Sequence, residues 1–120
     1  NMQLAFSNTI MGASKGVEFL DTSVYGMGRA AGNCPTELIV SHLKNAKYDL
    51  RPVLGIIEKH MIAMREKWEW GYIIPYMIAG VLNDHPRAAM ALRAGDKKDN
   101  FTEFYDKLTS PEVMPAGSAE

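Results

Sequence analysis

The sequence predicts an α/β segment followed by a helical extension, mostly α-helix with one short strand feeding a glycine-rich loop. Three observations predict it. β-Branched and aromatic residues (Val17, Phe19, Thr22, Val24) crowd the run from Val17 to Val24, the composition of a short, mostly buried strand. Directly after it, "YGMGRAAGNCP" places Gly26, Gly28 and Gly32 just ahead of a helix-like run. Further on, Leu50, Val53, Leu54, Ile57, Met61 and Met64 recur at steps of three and four, the spacing of a buried helical stripe. Helix, glycine, strand, glycine loop, helix is the order of an α/β layer fold, which binds ligands past the strand's carboxyl end.

The elements follow in order. Leu4, Ala5, Ile10 and Met11 fall at helical intervals, and Gly16 sits where a C-terminal cap belongs. Past the strand and loop, Pro35 suits a first helical position, and Leu38, Ile39, His42 and Leu43 line a helix to about Asn45. Asp49 is placed to cap the next helix, with Pro52 in its first turn. Trp68, Trp70 and Tyr72 around Gly71 interrupt the stripe, and the two tryptophans read as packing residues. A helix over 74–82 carries Pro75 near its start, and Asp84-His85-Pro86 announces another over 87–94. Asn100 is placed to cap the last helix, which has Phe101, Phe104, Tyr105 and Leu108 on one face. From Pro111 the composition predicts a flexible tail over 111–120.

Composition narrows the function classes. The chain has 120 residues, 47% of them hydrophobic, enough for a small packed core. A net charge of −1 without a basic stripe argues against nucleic acid. The longest strongly apolar run, Tyr72 to Leu82, is too short to span a bilayer. A single cysteine fits a reducing compartment, and with no signal pattern the expected location is cytoplasmic. The chain opens at Asn1 in helix-like sequence, which suggests a piece of something longer. A lone strand also leaves ladder groups that must be paired elsewhere, by a second copy or by the rest of a barrel.

The glycine loop reads in two ways. It is either a strand-to-helix connection that needs glycine for positive φ, or a ligand loop. It lacks the Gly-Lys-Ser/Thr of a phosphate loop and the spacing of a dinucleotide fingerprint. Asn33, at the helix start, carries a hard amide oxygen suited to Mg²⁺ or Mn²⁺. The histidines offer no ligand spacing: His42 and His60 read as partly buried, hydrogen-bonded rings, and His85 as a cap or a solvent-facing side chain. The charges of "IEKHMIAMREKWEW" read as a solvated helix face.

Three stretches, "NMQLAFSNTI", "GVEFLDTSVYGMGRAAGNCPTELIV" and "WGYIIPYMIAGVLNDHP", resemble the C-terminal part of the HMG-CoA lyase-like, metal-dependent aldolases and lyases, nearest to the 4-hydroxy-2-oxovalerate aldolases. The likeness covers roughly Asn1 to Pro86 and is most specific over Asp21 to Leu38. It implies a parent (β/α)₈ TIM barrel with a helical extension. Residues 1–46 would be its last βα part, and 47–110 the extension. It implies a divalent cation, Mn²⁺ or Mg²⁺, bound in the parent enzyme and not by these residues alone. Asn33 is implied as a metal ligand or a partner of one, and Gly26, Gly28, Arg29 and Gly32 as the substrate loop. Tyr76, in "GYIIPY" with Tyr72, is implied to contact substrate, against the plainer reading of an aromatic between helices. Asn1 resembles the residue just after the family's His-x-His. Cys34 does not match the lyases' catalytic cysteine, whose inserted loop is missing here, and this argues against HMG-CoA lyase activity itself.

The implied activity is carbon–carbon cleavage of a 4-hydroxy-2-oxo acid to pyruvate and an aldehyde, with the metal stabilising the enolate. These residues alone are expected to be inactive. Two alternatives stay open: a helical module that docks an aldehyde dehydrogenase or forms a homo-oligomer, and an acyl-CoA-dependent synthase of the same superfamily.

Overall fold

The structure, a computed structural model, describes residues 2–110. The expectations for Asn1 and for the tail over 111–120 lie outside them. The chain divides into two compact units, Asn1–Ile73 and Ile74–Glu120. The sequence placed the boundary near residue 46; in the structure the Leu50–Trp68 helical run belongs with the glycine loop, because its apolar stripe packs against the base of that loop.

In the first unit, α1 (Ala5–Ser14) ends as expected: Gly16 takes φ +89° and donates to the Ala13 carbonyl. α2 (Thr36–Leu43) follows the loop, with Pro35 one position outside it, as an extended residue that leads into the helix. Asp49 caps α3 (Leu50–Ile56) by accepting the Arg51 amide at 3.0 Å. α3 continues without a break in backbone angles through a π turn (Ile57–Met61) into α4 (Ile62–Trp68). Ile57, Met61 and Trp70 form the core here, with Val24, Tyr25, Met27, Val53 and Met64 packed on them. Leu54, from the same predicted stripe, stays 45% exposed.

The expected strand does not form. Val17 to Thr22 is irregular, and Val24–Gly26 is a 3₁₀ turn instead of a strand end. All that remains of a ladder is one parallel bridge between Ser23 and Pro35, in which the Ser23 amide donates to the Cys34 carbonyl and the Thr36 amide to the Ser23 carbonyl. A strand is stable only when a neighbour pairs its backbone, and no neighbouring strand is present among the described residues. Phe19 is accordingly 85% exposed. The described residues are therefore mostly helical.

The second unit packs α5 (Ile74–Val81) against α6 (Arg87–Ala94) and α7 (Phe101–Thr109). Ala79 and Ala89 are completely enclosed, and Pro75, Tyr76, Ile78 and Phe104 are buried with them. His85 caps α6, its Nδ1 accepting the Arg87 amide. Asn100 precedes α7 as expected, but its side chain donates to Glu103 and caps no backbone group. Lys107 donates to Glu103 at 2.7 Å, and these two hydrogen bonds hold the Glu103 carboxyl below its ordinary range. Tyr105, expected on the buried face, is 46% exposed. Among the described residues no helix is long and apolar enough to cross a membrane.

Ile57 anchors the first unit's core. Ile57→Ala should destabilise that unit by about 2–5 kcal/mol, read as a lowered urea midpoint and faster exchange of its helical amides. An unchanged midpoint would contradict the packing described.

Candidate functional site

The glycine loop is a closed turn with a narrow neck. At the neck the Asn33 amide donates to the Gly26 carbonyl at 2.9 Å, and within the loop the Gly32 amide donates to the Arg29 carbonyl. Gly26 (φ +65°) and Gly32 (φ +80°) are both left-handed. A methyl on Gly32 would run into the Gly26 carbonyl oxygen. Glycine at position 32 is therefore demanded twice, by backbone angle and by space.

Inside this neck the Asn33 side chain is fixed. Its Nδ2 donates to the Met27 carbonyl at 2.9 Å, and the same carbonyl accepts the Ser23 hydroxyl at 2.7 Å. Gly28 lets the carboxamide lie flat across the loop, because a methyl there would land on Asn33 Nδ2. With one Nδ2 hydrogen given to Met27, the carboxamide oxygen and the second N–H are left to an incoming group. Asn33 is exposed and borders two depressions. One, of about 460 Å³, is shared with Tyr25, Glu37, Arg65 and Tyr72. The other, of about 420 Å³, is shared with Asn8, Asp21 and Thr22.

Arg29 is exposed on the loop. Cys34 is buried under it and gives its carbonyl to Ser23. Tyr76 belongs to the second unit, buried, with its hydroxyl accepting from Arg93 at 3.3 Å. Tyr72 lines the same depression as Asn33 and is 60% exposed. His42 and His60, expected to be partly buried, are both exposed, His42 with its ring edge-on to Phe6 at 5.9 Å. Trp70 packs as expected, whereas Trp68 is 55% exposed. Sequence reading overlooked Ser23, Glu37 and Arg65. Glu37 accepts the Tyr25 amide at 3.0 Å, and the Arg65 guanidinium stacks over the Tyr25 ring at 5.1 Å. Nothing in the local spacing marks such long-range partners.

A divalent cation needs several converging donors. Among the described residues, no group of three or more His, Cys, Asp or Glu side chains can hold a metal ion, and Asn33 offers a single carboxamide oxygen. These residues do not fit a complete metal centre.

The HMGL-like family model matches residues 1–63, more than half of the chain and the whole of the loop. The chain belongs to the HMGL-like family. A 4-hydroxy-2-oxovalerate aldolase from Desulfitobacterium hafniense is 37% identical over 65 residues, 51% of this HMGL-like chain and 20% of the aldolase. An oxaloacetate decarboxylase from Mycobacterium tuberculosis is 41% identical over 44 residues, 37% of this chain and 13% of the decarboxylase. The matched segments thus span a fifth or less of those relatives' lengths. No solved structure matches.

Two glycine variants separate backbone from side-chain demands. Gly28→Ala should chiefly displace the Asn33 carboxamide, with a lesser push on the Asn33 backbone nitrogen, at about 0.5–1.5 kcal/mol, with a shifted side-chain NH₂ resonance. Gly32→Ala should cost more, about 2 kcal/mol or above, because backbone must move. Thermal melts of the two variants check the order, and equal costs would contradict the neck geometry.

Proposed function

We propose that this chain forms the closing part of an HMGL-like (β/α)₈ barrel that breaks the C3–C4 bond of a 2-oxo acid and releases pyruvate. The two named relatives support the reaction class. Aldol cleavage of 4-hydroxy-2-oxovalerate and decarboxylation of oxaloacetate both break the bond between C3 and C4. In each case the electron pair passes to C3, conjugated with the 2-oxo group, and the resulting enolate takes up a proton to become pyruvate. The leaving part is an aldehyde in the first case, after loss of the 4-hydroxyl proton, and carbon dioxide in the second.

Within this reading the chain supplies one wall of the site. The observation that carries it is the Asn33 carboxamide, braced through Nδ2 on Met27 with its oxygen left to an incoming group, in a loop that the family match covers. Gly26, Gly28 and Gly32 let the loop fold closely on itself and hold Asn33 in place, and Arg29 offers a positive charge to a substrate carboxylate. The exposed Val17 and Phe19 suit a segment whose sheet partners lie in other parts of a barrel. The Mg²⁺ or Mn²⁺ that the resemblance implies would draw its donors chiefly from outside these residues.

Supplied alone with Mn²⁺ and 4-hydroxy-2-oxovalerate, the chain should yield no pyruvate above background in a coupled lactate dehydrogenase assay. Pyruvate formation would overturn the expected inactivity. Grafted in place of the matching segment of the Desulfitobacterium aldolase, the chain should restore pyruvate release, and Asn33→Ala in that graft should lower kcat at least tenfold. A folded graft indifferent to Asn33→Ala would sink the assignment.

A second reading, a docking surface for a partner dehydrogenase or a second copy, is favoured by one observation. Leu54, Ile56, Ile62 and Trp68 are all 45–55% exposed on the Leu50–Trp68 run. Light scattering after size exclusion should return a mass above that of one chain if this surface pairs with itself, and a monomer mass would remove self-association.

A further inference from the structure

We propose that Trp70 and Gly71 are positioning residues that clamp the glycine loop into its site-forming conformation, an inference that rests on the reading of the loop as a substrate wall. The family match ends at residue 63, so the clamp comes from sequence beyond the matched segment.

The geometry is a two-point grip. The Trp70 indole Nε1 donates to the Tyr25 carbonyl at 2.8 Å, at the loop's entry. The next residue's amide, Gly71 N, donates to the Ala30 carbonyl at 3.2 Å, on the loop's far arm. Both gripped residues are strained in the same way. Tyr25 has φ +57° and Ala30 has φ +59°, in the left-handed region that side chains disfavour. Neither is a glycine, so neither position holds this conformation by local preference. The two grips thus fall on the two non-glycine residues of the loop that most need holding.

Tyr25 is held at three further points. Its amide donates to Glu37, its ring meets Trp70 edge-on at 6.2 Å, and the Arg65 guanidinium lies over it at 5.1 Å. Arg65 in turn donates through Nε to the Trp70 carbonyl at 3.2 Å. Gly71 has φ +105°, and a methyl there would press on Arg65 Nη2 at 3.1 Å. Trp70 itself is buried at 5% exposure on Ile57 and Met61, so the clamp stands on a packed base. Released from it, Tyr25 and Ala30 would relax toward ordinary φ, the neck between Gly26 and Asn33 would open, and the Asn33 carboxamide would lose its fixed direction.

The test uses the whole chain and amide-resolved NMR. In the native chain the Trp70 indole proton should exchange at least tenfold more slowly than that of Trp68, as a buried donor does against an exposed one. Trp70→Phe keeps an aromatic ring in the core and removes the donor. It should shift the amide resonances of Gly26 to Asn33 and speed exchange of the Gly26, Gly32 and Asn33 amides about tenfold, with α5 to α7 unmoved. Trp68→Phe should leave all of these unchanged. Equal exchange of the two indole protons, or a folded Trp70→Phe chain with native loop resonances, overturns the clamp. Because none of these readouts needs catalysis, the clamp can fail while the lyase reading stands, and the reverse.

Discussion

The neck of the glycine loop, where the Asn33 amide meets the Gly26 carbonyl at 2.9 Å, constrains everything assembled around it. Closing a turn this tightly forces left-handed backbone at Gly26 and Gly32, which glycine supplies without steric cost. It also places Tyr25 and Ala30 in that region, at about 1–2 kcal/mol each. A short connection cannot offset this from its own contacts. The compensation comes from the indole of Trp70, the Gly71 amide, the Glu37 carboxylate and the Arg65 guanidinium, all reaching in from neighbouring segments.

That arrangement links the helical run after Asp49 to the chemistry of the loop. Ile57 and Met61 make the floor on which Trp70 rests, and Trp70 holds the carbonyl at the loop's entry. The π turn at Ile57–Met61 lies in this same floor and carries both of those residues. The helices of residues 50–68 are thus part of the loop's foundation, and the natural division of the chain falls after Ile73. Membership of the HMGL-like family rests on residues 1–63, while the support for the loop extends past them.

The missing strand belongs to the same logic from the opposite side. Val17 to Val24 has strand composition, but propensity contributes little beside the ladder hydrogen bonds and two-sided burial that a sheet supplies. Without a neighbouring strand among the described residues, only the Ser23–Pro35 bridge survives, and it survives because the segment entering α2 delivers the Cys34 carbonyl and the Thr36 amide to Ser23. Cys34, whose side chain is buried, serves here through its backbone.

By itself the sequence determined what depends on neighbours three or four residues away. The helices near their observed places, the Gly16 terminus, the Asp49 cap and the need for glycine at the loop all follow from local backbone preference and helical spacing. It also carried the family, because the resemblance lay in contiguous stretches around Asp21 to Leu38. Only the tertiary structure decided which way the Asn33 carboxamide turns, that Tyr72 lines its depression, and that Trp70 grips while Trp68 lies exposed. Those outcomes hang on contacts between residues up to 45 positions apart. Such contacts are set by how packed segments meet, and no local pattern of residues encodes that.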